Sequence, residues 1–332
     1  MKKGIKYLLL LVASFFILER TSFLILDLLH QKSMYGESGG KINNLVKNHN
    51  KTEILFVGDS RNAFHVNPKY INNKCYNLSH NGMSIVFQTG LIDQLLTNEQ
   101  LEIDTLCLHV TFKELNQIPK SQKLDIQFLK YYYNSNEWIK SEINKYLPKG
   151  KIKFFFPSFC WNGNVMSIIS NGLKFKRQND SNNGYSPKLP TINDSINVIY
   201  QQNQLNIITI DSSKNKLLEN QMTNQNFKKY IYSVSQLNQI YISHIDSLCK
   251  KNKIVFICYT SPKYNRPYIS DSSKFKVINY FKFKNILFLD YSNLYHQNSD
   301  FRNINIWNDV YHMNDSGATI FSKNLRKELN NY

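Results

Sequence analysis

The sequence predicts an α/β fold, a parallel sheet with helices against both faces. Three observations carry that expectation. Short runs of β-forming apolar residues at 54–57 (ILFV), 103–112 (IDTLCLHVTF), KIVFICYT and NILFLDY read as strands buried on both faces. Helix-like stretches stand at about 85–96, 227–250, 271–282 and 314–330, and strands alternating with helices favour parallel pairing. The first run ends in Gly58-Asp59-Ser60, a turn placed where the crevice of an open α/β sheet lies, outside the carboxyl ends of its strands.

Taken in order, the chain opens with Lys2, Lys3 and Lys6, an apolar run at 7–18, the polar stretch Glu19-Arg20-Thr21-Ser22 and a second apolar run at 23–29. A membrane span needs about 20 residues, so the first run is short and the second must help. A cleavable signal peptide is the alternative. No A-x-A-like site precedes the polar part of the chain, which favours an uncleaved anchor over residues 1–30. Lysines ahead of the apolar run put the N-terminus in the cytoplasm and the remainder on the periplasmic or extracellular side of the cytoplasmic membrane, as a single-pass protein.

Residues 31–52 read as a polar connector. Its GESGGK run looks like a phosphate-binding loop but has Tyr35 and Ile42 where that motif needs Gly and Ser or Thr, and no strand precedes it. The α/β domain is expected over 53–330. KCYNLS is a short second strand, and 113–226, with its aromatic runs and polar stretches, reads as a partly helical insertion without a recognisable motif.

The formal charge of +17 raises nucleic-acid binding, but the lysines are spread along the chain, which argues against it. Cys75, Cys107, Cys160, Cys249 and Cys258 form no C-x-x-C pair, and Cys75, Cys107 and Cys258 sit in apolar runs that suit buried thiols. No metal-ligand spacing or cofactor motif is visible.

Ser60 is a candidate nucleophile if a base can reach it. Of the eight histidines, His30 and His49 belong to the anchor and connector, His244 to a helix and His296 to a polar loop. His80 and His109 stand near strand ends, and His65 follows Ser60 closely enough to line a site. His312 is the strongest candidate: it lies in NDVYHMNDSGATIFS, between the last strand and the final helix, and Asp309 three residues earlier can hold its tautomer. Asn314 or Asp315 can cap the helix that follows.

A strand ending in G-D-S early in a domain, with D-x-x-H just before its final helix, resembles the SGNH or GDSL hydrolase superfamily. The likeness extends to YNLSHNGMS, with Gly82 at the second-block glycine. Ser60, Arg61 and Pro68 further resemble a membrane-anchored group of such proteins associated with bacterial surface-glycan gene clusters. The match covers 54–112 and 250–330 and leaves the insertion aside.

The resemblance implies a flavodoxin-like three-layer α/β/α sandwich. It implies that Ser60 attacks an acyl carbon, that His312 takes its proton, that Asp309 orients His312, and that the N–H groups of Ser60 and Gly82 form the oxyanion hole. Asp59, Arg61, His65 and Thr111 are expected to wall the site. The family's third-block asparagine is missing, and Thr111 stands near its place. The resemblance further implies O-acetyl transfer to or removal from a carbohydrate, with a membrane-bound O-acyltransferase as a partner. A silent scaffold or glycan-binding component is the alternative.

Overall fold

A computed structural model describes residues 2–34, 36–97, 101–173, 182–191, 193–203, 231–265 and 268–330. Its principal helices are α1 (Lys2–Lys32), α2 (Lys41–Asn48), α3 (Ser60–His65), α4 (Ile85–Thr97), α5 (Phe112–Asn116), α6 (Glu137–Tyr146), α7 (Val165–Leu173), α8 (Gln236–Lys251), α9 (Asp271–Phe283) and α10 (Asp315–Leu329). Two compact units form, one from residues 1–52, 83–102 and 119–181, the other from 53–82, 103–118 and 182–332.

The second unit is built on a parallel sheet of β1 (Lys51–Val57), β2 (Cys75–Asn77), β3 (Glu102–His109), β4 (Val255–Thr260) and β5 (Leu287–Asp290), in the order β2-β1-β3-β4-β5. Phe56, Cys107, Ile257, Tyr259 and Leu289 share one buried cluster with Trp307, Val310, Met313, Phe321 and Leu325. Each such side chain contributes about 1.5–3 kcal/mol when buried. Helix α10 belongs there because Ala318, Phe321, Ser322, Leu325 and Leu329 fall on one stripe, and it starts where Asn314 Oδ1 accepts the Ser316 and Gly317 N–H groups.

The third strand stops at His109, short of the expected 112. The Thr111 hydroxyl oxygen accepts the Glu114 N–H at 3.2 Å and starts α5, so a cap competes with the strand ladder and wins. Residues 31–52 hold α2 with Ile42, Asn44 and Leu45 buried, so helical apolar spacing within a polar stretch makes it more than a connector. The expected insertion is divided: 119–181 belongs to the first unit and 182 onward to the second. Most of the polar end of that insertion, and residues 227–230 of the helix expected at 227–250, lie outside the described residues; 231–235 are not helical, and α8 starts at Gln236 because the Ser235 hydroxyl oxygen accepts the Asn238 N–H.

Gly58 joins β1 to the site for a steric reason. A Cβ there would stand 2.7 Å from the His109 Cβ and 2.8 Å from the Asn62 Cβ. Gly58→Ala is expected to cost about 1–3 kcal/mol by overpacking, read as a lower melting temperature; an unchanged melt would show that the β1–α3 turn can shift freely.

In the first unit, α1 is long and apolar enough to cross a membrane, with a mean hydropathy of 2.0 over its best window and little of it buried. It packs along α7 and the turn Pro157–Trp161. Helix α4, buried from Val86 to Leu96, packs on Leu124–Tyr132 and α6.

Candidate active site

Ser60 is the first residue of α3, at the carboxyl end of β1. The helix starts there because Asp59 caps it, its Oδ1 accepting the Arg61 N–H at 3.0 Å and the Asn62 N–H at 3.4 Å. Asn62 then locks the helix to the sheet, taking the Tyr259 hydroxyl and donating to Ser79 Oγ. Its carbonyl accepts the Asn77 side-chain amide at 2.9 Å.

The Ser60 Oγ lies 2.9 Å from His312 Nε2. On the other side of the ring, Nδ1 is 2.8 Å from Asp309 Oδ2 and 3.0 Å from Oδ1. With Nδ1–H donated to the carboxylate, Nε2 keeps its lone pair and the Ser60 O–H donates to it, the tautomer a general base requires. The loop that holds this pair is tight. Asp309 Oδ1 also accepts the Tyr311 N–H at 2.8 Å and the His312 N–H at 2.9 Å, while Asn308 N–H donates to the His312 carbonyl at 2.9 Å. Burial pushes the Asp309 carboxyl up, but the His312 hydrogen bond and charge and these two N–H donors outweigh it and hold the group below its ordinary range. The side chains of His312 and Asp309 keep 21% and 18% of their surface exposed, so the pair is braced yet reachable.

Gly82 sits in an exposed turn at φ +70°. The His80 N–H donates to the Gly58 carbonyl at 3.0 Å and so ties this turn to the end of β1. Thr111 and Arg61 line a cavity of about 510 Å³ together with Tyr232, Lys263, Tyr268 and Tyr311. Arg61 is buried, its Nη2 3.5 Å from Asp59 and 3.9 Å from Glu114.

Two of the residues expected to wall the site sit behind it. His65 is fully buried, and Asp59 turns inward as a cap and charge partner. They belong to a chain of polar groups that sequence reading missed. His109 Nδ1 is 3.1 Å from Asp59 Oδ1, off the line a hydrogen bond prefers; His109 Nε2 is 3.0 Å from Ser261 Oγ; Ser261 Oγ is 3.0 Å from His65 Nδ1; and His65 Nε2 is 3.0 Å from the Tyr311 carbonyl.

Donors and acceptors in this chain close in one way. Burial first, then the charges of His312, Arg61 and His109, push the His65 ring well down and keep it neutral. Its single N–H must go to the Tyr311 carbonyl, so Nδ1 accepts the Ser261 O–H. The Ser261 oxygen then takes a hydrogen from His109 Nε2, and His109 Nδ1 faces a carboxylate. The chain thereby fixes the carbonyl of the residue next to His312. Only the place of His109 near a strand end hinted at such a role; the structure sets it opposite Tyr259 in register.

The far end of the expected insertion also reaches the site. The Lys188 ammonium donates to Asn308 Oδ1 at 2.7 Å and stands 4.5 Å from the centre of the Phe64 ring, whose edge-to-face partner at 5.2 Å is His312. All five cysteines are buried and free. Among the described residues, no group of three or more His, Cys, Asp or Glu side chains is placed to hold a metal ion. Comparison of the chain with protein-family models and with curated proteins returned no match.

Proposed function

We propose that the chain is a membrane-anchored serine acyl hydrolase or acyltransferase of the SGNH type, acting on O-acyl groups of a surface carbohydrate. One observation carries the reading: Ser60, His312 and Asp309 stand in line at 2.9 and 2.8 Å, the spacing of a nucleophile, a base and an orienting carboxylate. The sheet order β2-β1-β3-β4-β5, the flavodoxin-like order, supports it.

In this reaction Ser60 Oγ attacks the acyl carbon as its proton passes to His312 Nε2. The tetrahedral oxyanion is met by the N–H groups of Ser60 and Gly82. Its collapse expels the alcohol, which takes the proton from His312 and leaves acyl-Ser60. Water or a sugar hydroxyl, deprotonated by His312, then attacks the acyl group and frees Ser60. The tyrosines and lysines of the adjoining cavity suit the faces and hydroxyls of sugar rings. An anchor keeps the enzyme beside lipid-linked glycans and acyl donors, which favours transfer over hydrolysis and accommodates a membrane-bound O-acyltransferase partner.

A fluorophosphonate probe is expected to label the protein and to leave Ser60→Ala unlabelled; an unlabelled parent chain would favour a silent scaffold, which the missing third-block asparagine allows. Deleting the gene is expected to lower the O-acetyl content of the surface glycan. A rise would mean an esterase, and no change would overturn the glycan reading in both forms.

A further inference from the structure

We propose that the segment 154–173 lies along α1 and enters the bilayer as a wedge at its 154–156 end, so that phospholipid acyl chains contact the first unit through Phe155 as well as through the span. The proposal rests on reading α1 as a membrane span.

The segment keeps pace with α1 turn by turn. The Phe156 ring lies 5.7 Å from Phe15 and 6.1 Å from Phe16, stacked on the latter. The Ser158 N–H donates to Glu19 Oε1 at 2.8 Å, and Trp161 stacks on Phe23 at 6.3 Å. At Gly172 an added Cβ would stand 2.7 Å from the Leu29 carbonyl oxygen, the close backbone approach that small residues allow between helices in lipid.

Depth follows from counting along α1. About 17 apolar residues is the least that spans a bilayer. Counted from Lys3, such a span reaches Arg20, and counted from Lys6 it reaches Phe23. Either count leaves Phe15 and Phe16 within hydrocarbon, and Phe156, packed on both, lies at their level. Glu19 gives an independent reason for the segment to sit this deep. A carboxylate beside the apolar run must face protein rather than lipid, and Glu19 is buried, held by the Ser158 N–H and by Arg20 at 3.4 Å.

The outward side of the segment has the chemistry of a lipid contact. Phe155 is 61% exposed beside Phe156, on the same level as the exposed Phe15 and Ile17 of α1. In water such side chains would be a liability. In an acyl-chain layer they are at home, and bulky apolar residues beside a span are what an interfacial insertion uses.

The test uses the full chain in nanodiscs of phosphatidylcholine, with or without bromine on the acyl chains. Phe155→Trp and Ile17→Trp are compared with the parent, whose three tryptophans set the background. Ile17 is 66% exposed on α1 and reports the span itself. Bromine is expected to quench the tryptophan added by Phe155→Trp to within about twofold of that added by Ile17→Trp, and aqueous iodide to quench neither. Quenching by bromine at position 17 with quenching by iodide at 155 would overturn the wedge and leave the span standing. Loss of bromine quenching at both positions would overturn the span reading, and the wedge with it.

Discussion

Ser60→Ala and His312→Ala are each expected to lower turnover of a simple acetyl ester by about 10⁴- to 10⁶-fold, and the double variant to be no worse than either. The reason is geometric. Ser60 Oγ has its proton acceptor at 2.9 Å, and without the His312 ring the hydroxyl has nothing to activate it. The two side chains form one device, so removing the second after the first changes nothing. Asp309→Asn is expected to be milder, about 10⁴-fold. The asparagine amide can donate to His312 Nδ1, which drives the ring proton to Nε2, where it blocks acceptance from Ser60. Asp309 is held below the ordinary carboxylate range, so it stays an anion at neutral pH, facing the His312 ring. Steady-state hydrolysis of p-nitrophenyl acetate checks all four variants, and turnover retained by Ser60→Ala would remove Ser60 as the nucleophile.

The strands, the Gly-Asp-Ser turn and the Asp309–His312 pair were legible because their signals are local, whereas joining Ser60 to His312 across 252 residues rested on both lying at the carboxyl edge of the sheet and on the family resemblance. A run such as ILFV followed by Gly-Asp-Ser, or Asp309 three residues from His312, carries its meaning within a few positions. The end of β3 was misplaced by three residues, because Thr111 suits a strand and a helix cap equally and only the Glu114 N–H decides between them. The polar chain behind the site was illegible for the opposite reason. Asp59 and His65, His109, and Ser261 come from three separated segments, and nothing in the neighbourhood of His109 says that a serine 152 residues later faces it. Lys188 and its contact with Asn308 were hidden in the same way, within a stretch that had no periodicity to read.

Asp59→Ala is expected to lower the stability of the sheet-bearing unit by about 3 kcal/mol, because it takes from the buried Arg61 guanidinium the nearer of its two carboxylates and leaves only Glu114 at 3.9 Å. It also removes the cap of α3 and so loosens the helix that begins with Ser60. The pH dependence has a definite sign. Burial alone would raise the Asp59 carboxyl, but the charges of Arg61 and His109, the His109 contact and the Asn62 N–H together drive it far below its ordinary value. A group depressed in the folded state contributes fully above its unfolded value, about 3.9, and loses that contribution as pH falls through the folded one. The parent protein should therefore lose stability on acidification below about pH 4, while Asp59→Asn, less stable at neutral pH, should show a flatter acid limb. Thermal melts from pH 3 to 7, followed by the fluorescence of Trp307 in the buried cluster of that unit, separate these curves. Parallel acid limbs in the two proteins would show that Asp59 is not the charge that holds this site together.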